Sequence, residues 1–292
     1  MQRQLTPAEC IELIRAHKFP VQKKYGQNFL TDENILEGIV EFAGVCKEDP
    51  VLEIGPGMGA LTGYLLRSAG KVCAVEVDRM LIPILEDQFG ENENFSLVCA
   101  DIMKTDIPAV TGASSDSRIK VVANLPYYIT TPIVLKLLEN ESCIESITVM
   151  VQKEVGLRMS AGPGSKTYGS LSLAVQYYSR AQVGINVSKN SFYPRPDVDS
   201  VVVRLDVYRP DERPVQAKDS KFMFGLIRAA FGQRRKTLVN SLSSAPDLGL
   251  TKASVAAALV QMGKSESIRG EALTLSEFAQ LSDILREQEL SD

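Results

Sequence analysis

VLEIGPGMGALT, residues 51–62, leaves a β-rich apolar run and enters a helical pattern through Gly55, Gly57 and Gly59, spaced G-x-G-x-G. Glycine lets a backbone turn sharply and approach a ligand closely, and a helix that starts there directs free amide groups at whatever is bound. Taken alone the loop suits NAD, FAD or S-adenosylmethionine, and a tight turn without a ligand reads the same way. Its surroundings narrow the choice.

Downstream, strand-like KVCAVEVD (71–78) is followed by helical MLIPILEDQF (80–89), whose Pro83 falls in the first turn, where proline is tolerated. Strand-like FSLVCA (95–100) and IKVVAN (119–124), helical PIVLKLLEN (132–140) and strand-like ESITVMVQ (145–152) come next. Strands alternating with helices at this spacing require right-handed crossovers and a parallel sheet covered on both faces. Beyond Gly162 the pattern changes. The helix SLSLAVQYY precedes two β-rich runs, AQVGINV and VDSVVVRLDV, which are placed to pair antiparallel at a sheet edge. YRPDERPVQAKD (208–219) has the proline and charge of a linker, and everything after it reads helical, ending in a helix whose start, Thr274 to Glu277, fits a capping box. The expected architecture is α/β, a Rossmann-like, mostly parallel sheet with an antiparallel edge strand over residues 1–207, including a basic N-terminal extension. A small all-α domain is expected over 208–292.

With 292 residues, 45% of them hydrophobic, the chain can bury a substantial core. No apolar run reaches the roughly 18 residues of a membrane span, and the N-terminal region, with Glu9 and Glu12, lacks a signal-like apolar block, so a cytosolic protein is expected. The five cysteines include no CxxC and His17 is the one histidine, so neither zinc nor a disulfide framework is expected, and Ser-His or Cys-His hydrolysis has little to work with. Net charge is −4 and pI about 5.3, which argues at first against a nucleic-acid partner. The charge is unevenly spread, however. Residues 13–31, 155–196 and 220–246 hold fourteen Lys or Arg and no Asp or Glu. Either these are solvated surface and neutral strands, or they converge on a face that grips phosphates.

Two acids stand at strand ends. Glu76 lies 21 residues after Gly55, where a carboxylate hydrogen-bonds the ribose hydroxyls of a nucleoside cofactor. Asp101, in CADIMK, is placed to accept from an adenine amine, or simply to cap a turn. The loop lacks the third glycine at dinucleotide spacing, which favours a sulfonium nucleoside over a pyrophosphate. Asn124-Leu125-Pro126-Tyr127 follows another strand and should face the same crevice. A nucleobase amine attacks a methyl carbon only as its nitrogen pyramidalises, which two acceptors on its hydrogens favour. The Asn124 side-chain oxygen and the Leu125 carbonyl would be those acceptors, Pro126 would limit backbone freedom, and the Tyr127 ring would stack on the base. An NAD-dependent dehydrogenase would use the glycine loop and Glu76 but leave this tetrapeptide idle, and a non-enzymatic assembly factor would need none of it.

Seven stretches, KKYGQNFLTD (23–32), EIGPGMGALT (53–62), VEVD (75–78), AD (100–101), NLPYYITTP (124–132), FYPRPDVDSVVV (192–203) and FGQRRKTLVNSL (231–242), resemble in order the ribosomal RNA adenine dimethyltransferase family. The likeness is greatest to its bacterial small-subunit branch. The resemblance implies that Gln27, Asn28, Leu30, Gly55, Gly57, Glu76, Asp101 and Asn124 contact S-adenosyl-L-methionine. It implies that Asn124, Leu125, Pro126 and Tyr127 frame the target adenine, with Phe192 as a second stacking ring. It also implies two methyl groups placed on N6 of each of two adjacent adenosines in a hairpin loop near the 3′ end of the small-subunit RNA. Lys23, Lys24, Arg158, Arg195, Arg234, Arg235 and Lys236, in the acid-free windows, are the expected RNA contacts. The macrolide-resistance branch, acting on large-subunit RNA, tends to be shorter and strongly basic, unlike this acidic chain. The implied partner is an immature small ribosomal subunit; a basic face broader than one flipped base needs suggests a secondary checkpoint role there, and no membrane, no metal and a monomeric enzyme are expected. Tyr25 and Tyr128 depart from the common pattern.

Overall fold

The structure, a computed structural model, describes residues 28–289 together with Glu9 and Glu12. Lys23, Lys24, Tyr25 and Gln27 lie outside the described residues, as do Cys10 and His17. In chain order the first elements are β1 (Phe29–Leu30), α1 (Glu33–Ala43), β2 (Pro50–Ile54), α2 (Ala60–Ser68), β3 (Lys71–Glu76), α3 (Ile82–Phe89) and β4 (Phe95–Cys99). Then come α4 (Ile107–Thr111), β5 (Ile119–Asn124), α5 (Thr130–Glu139), β6 (Ile144–Gln152), α6 (Lys153–Met159), α7 (Ser170–Tyr178), β7 (Ser179–Val187), β8 (Phe192–Tyr193) and β9 (Ser200–Val207). Four helices follow: α8 (Ser220–Gly232), α9 (Leu238–Ser243), α10 (Lys252–Gln261) and α11 (Leu275–Glu289).

Seven strands form one sheet in the order β4-β3-β2-β5-β6-β9-β7. From β4 to β6 all pairs are parallel, and β9 runs antiparallel to β6. The parallel strands β3 and β5 are buried almost end to end, as expected of strands covered on both faces, whereas β7 at the edge is largely accessible. Strand order reverses between β3 and β5 on either side of β2, the switch point where open α/β sheets bind ligands. There Ile54 is level with Val75 on one side and Ala123 on the other. One step further, therefore, Gly55 stands between Glu76 and Asn124.

Two glycine conformations make this junction. Gly55 has φ +67° and a Cβ there would meet nothing within 4 Å, so its backbone opens onto free space. Gly59, at φ +83°, starts α2, and a Cβ there would come within 2.3 Å of the Phe89 ring, so only glycine lets α2 lie this close to α3. A separate two-stranded ribbon pairs Phe29 with Tyr193 and Leu30 with Phe192. Thr31 N–H and Oγ1 both bind Ser191 O, at 2.9 and 3.0 Å, and extend it.

Contacts divide the described residues into two compact units: those up to Gly156 with Arg180–Pro210, and Leu157–Ser179 with those from Asp211 onward. The composition shift at 208 predicts a single boundary; the helical unit also takes in α7. The reason is aromatic packing. Phe224 of α8 meets Tyr177 edge-on at 5.2 Å and stacks on Tyr178 at 5.7 Å, and the Tyr168 hydroxyl donates to Leu273 O at 2.9 Å. Tyr168, Tyr177 and Leu173 are buried in the core that includes Leu226, Leu259 and Phe278. No helix among the described residues is long and apolar enough to cross a membrane.

Candidate functional site

A cavity of about 270 Å³ opens at the switch point, lined by Asn28, Leu30, Gly55, Gly57, Glu76, Asp101 and Asn124 to Tyr128. Sequence positions 28, 55, 76, 101 and 124 thus meet at one place, because the last four sit at or just past the carboxyl end of a strand and Asn28 directly precedes the ribbon strand β1.

Glu76 closes β3 and is 5% exposed. Its Oε2 accepts from Gly57 N–H at 3.2 Å and its Oε1 from Asp78 N–H at 2.8 Å. Burial raises its pKa, and these two backbone donors act against the rise. A carboxylate has about four lone-pair directions, so the two bonds orient Glu76 without exhausting it. Asp101 caps a turn, as its position allowed, and also faces the cavity. Its Oδ1 accepts from Met103 N–H at 2.9 Å, capping the short helix Ile102–Lys104, and the residue still lines the cavity. Lys136 of α5 holds the same loop from outside, donating to Met103 O at 3.0 Å and Thr105 O at 2.7 Å.

Asn124 ends β5 and is half-buried, facing the cavity. Its Nδ2 donates to Asn28 O at 3.1 Å. A carbonyl oxygen only accepts, so this contact decides which arm of the carboxamide is nitrogen and leaves Oδ1 as the arm Asn28 does not use. The turn after it is pinned at several points. Leu125 is buried and its N–H donates to Met150 O at 3.3 Å. Pro126 O accepts from Ile129 N–H at 3.3 Å and from Thr130 Oγ1 at 3.0 Å. The Tyr127 hydroxyl is 2.7 Å from Ser200 Oγ, and burial of the phenol raises its pKa.

Some expected residues fall elsewhere. Phe192 is 4% exposed and packs in the core with Leu30, Leu36 and Ile39; it is not among the residues lining the cavity. In the ribbon it is the cross-strand partner of Leu30 and packs beside it. Arg195, Arg235 and Lys236 are exposed, while Arg158 on α6 is half-buried. Arg234 donates to Glu271 Oε2 and to Lys166 O, both at 3.2 Å. Within the helical unit, two of the acid-free windows therefore touch, with a carboxylate from outside them set against Arg234.

Among the titratable residues that line the cavity, Glu53 escaped the sequence reading. Glu53, inside the buried strand β2, is 1% exposed and accepts from Thr62 Oγ1 at 2.7 Å. Burial first, and the nearby Glu76 second, push its pKa up to about 8 against the lowering effect of Thr62. An acid amid the apolar run PVLEI was the signal available.

The donor set fits a nucleoside cofactor such as S-adenosylmethionine. Carboxylates at Glu76 and Asp101 suit hydroxyl and amine donors, Gly55 leaves room for close approach, and Ile54, Leu81 and Ile102 give the cavity apolar walls.

Comparison with known proteins agrees. The family model described as ribosomal RNA adenine dimethylase matches residues 18–279. The chain is 50% identical to the ribosomal RNA small subunit methyltransferase A of Lachnoclostridium phytofermentans over 284 residues, 97% of each chain. It is 46% identical to the protein of that name from Bacillus licheniformis over 285 residues, again 97% of each. Among solved structures it resembles a dimethyladenosine transferase from Plasmodium falciparum, with TM-score 0.69 and 26% identity over 87% of this chain and 95% of that one. It also resembles the 23S rRNA methyltransferase ErmE, with TM-score 0.66 and 25% identity over 89% and 100%.

Proposed function

The chain belongs to the ribosomal RNA adenine dimethylase family, and from that premise we propose that the switch-point cavity is where it holds both cofactor and target base. It is an enzyme that transfers methyl groups from S-adenosyl-L-methionine to N6 of two adjacent adenosines in the 3′-terminal hairpin loop of small-subunit (16S) RNA, giving N6,N6-dimethyladenosine. It serves small-subunit biogenesis.

When bound, S-adenosylmethionine supplies an electrophilic methyl group on a sulfonium. Glu76 receives the ribose hydroxyls, Asp101 the cofactor's adenine amine, and Gly55 gives the close backbone approach; Asn28, Leu30 and Gly57 complete that wall. Asn124 Oδ1 and the Leu125 carbonyl accept the two N6 hydrogens of the target adenosine and favour the pyramidal, nucleophilic nitrogen. Tyr127 stacks on the extruded base. No side-chain base is needed, because the nitrogen's proton becomes acidic once the new C–N bond has formed and leaves to water. Arg195, Arg235 and Lys236, with Arg158 and Arg234, hold the RNA backbone. We further assign the enzyme to the cytoplasm, acting as a monomer on immature small subunits.

The contact between Asn124 Nδ2 and Asn28 O carries this reading, since it turns the amide so that its oxygen is left for a donor. The test is incubation with labelled S-adenosylmethionine and undermethylated small subunits, followed by nuclease digestion and mass analysis. Dimethyladenosine in a 3′-terminal fragment is expected for the parent and not for Asn124→Ala. Methylation at any other base would overturn the assignment.

A further inference from the structure

Tyr128 follows the Asn124 to Tyr127 turn directly, lines the same cavity and keeps 60% of its surface exposed. Seven large hydrophobic side chains are exposed among the described residues; of these only Val77 and Tyr128 line the cavity, and only Tyr128 carries a ring. Scattered exposed apolar residues need no explanation, but an aromatic at the rim of a base-binding cavity does. The two consecutive tyrosines are treated differently. The Tyr127 hydroxyl bonds to Ser200, which is itself fully buried, whereas most of the Tyr128 surface faces solvent, on a turn whose backbone the two bonds to Pro126 O fix.

An exposed ring carried on a fixed backbone is what an unstacked base of single-stranded RNA settles on. The reaction concerns two adjacent adenosines. While one base is held at Asn124, the other is a single phosphodiester away and has to pass the rim of the cavity, where it has lost its stacking partner. We propose that Tyr128 is a substrate-positioning residue that stacks on the nucleobase next to the target adenosine and so keeps the strand engaged while either adenosine occupies the cavity. This rests on the reading of the cavity as the site of RNA methylation.

The test compares the parent with Tyr128→Phe, Tyr128→Leu and Tyr128→Ala on undermethylated small subunits. KM for the subunit is measured, the methyl count on each adenosine is read by mass at limiting time, and S-adenosylmethionine binding is followed by calorimetry. Tyr128→Phe is expected within twofold of the parent. Tyr128→Leu and Tyr128→Ala are expected to raise KM for the subunit by about tenfold, the scale of one lost base–aromatic stack, and to leave one adenosine lagging, with cofactor affinity unchanged. A parent-like KM for both Leu and Ala variants would overturn the inference and leave the functional reading intact. An equal rise in Tyr128→Phe would overturn it too, by assigning the effect to the hydroxyl, as would a cofactor affinity that falls in step. A parent that methylates no adenosine would remove the functional reading and this inference with it.

Discussion

The hydroxyl of Tyr127 lies 2.7 Å from Ser200 Oγ, a bond that joins the turn after β5 to the first residue of β9. Ser200 is fully buried and level with Gln152 on the neighbouring strand β6, so its hydroxyl is fixed by the sheet and fixes the tyrosine in turn.

Breaking this bond from either end should have the same result. Ser200→Ala and Tyr127→Phe are each expected to lower kcat by about tenfold, on the scale of 1–2 kcal/mol for a half-buried hydroxyl pair, with cofactor affinity unchanged. The double variant should be little worse than either single one, because the two changes remove one interaction. Additive losses in a double-mutant cycle would show that the pair does not act as a unit.

Glu53 makes stability depend on pH. Its folded pKa of about 8 lies above the ordinary 4.5, so between these values the folded state holds a proton that the unfolded state has released. Unfolding free energy therefore falls as pH rises through this window, by up to about 1.4 kcal/mol per pH unit from this group, and the contribution present below 4.5 is gone above 8. Glu53→Gln keeps an acceptor for Thr62 without the titration. Urea unfolding at several pH values should show the variant gaining on the parent as pH rises, and a difference that stays constant would mean that Glu53 is ionised throughout.

Lys136 should act on the cofactor side through the loop it grips. Lys136→Met removes the bonds to Met103 O and Thr105 O and loosens the loop behind Asp101. KM for S-adenosylmethionine is expected to rise about fivefold to tenfold, in line with one or two lost charge-assisted bonds acting indirectly, with kcat within about twofold. Lys136→Arg should recover most of the loss. A fall in kcat at unchanged KM would contradict the placement.

Arg235 and Lys236 should matter more for RNA than Arg234, whose guanidinium is already set against Glu271. Each phosphate contact removed by Arg235→Ala or Lys236→Ala should reduce the slope of log K against log salt by about 0.7–0.9, and leave cofactor binding alone. Arg234→Ala should change the slope less. A salt titration of subunit binding gives all three values, and the reverse order would show that the ion pair opens when RNA binds.

Much of this protein could be read from its residue order. The period of apolar residues marks strands and helices, the glycine spacing marks the loop, and Glu76 and Asn124 follow from their place at strand ends, because in a parallel sheet all such ends gather on one edge. These are consequences of local conformation. What only the tertiary structure decided involves segments far apart in the chain. The family resemblance implies that Phe192 is a stacking ring, but the pairing with β1 buries it beside Leu30. The helix α7 reads as part of the sheet domain until Tyr177 and Tyr178 meet Phe224. Glu53 reads as one acid in a strand until burial next to Glu76 changes its chemistry. In each case the deciding quantity is desolvation or contact across many residues of intervening chain, which sequence periodicity does not encode.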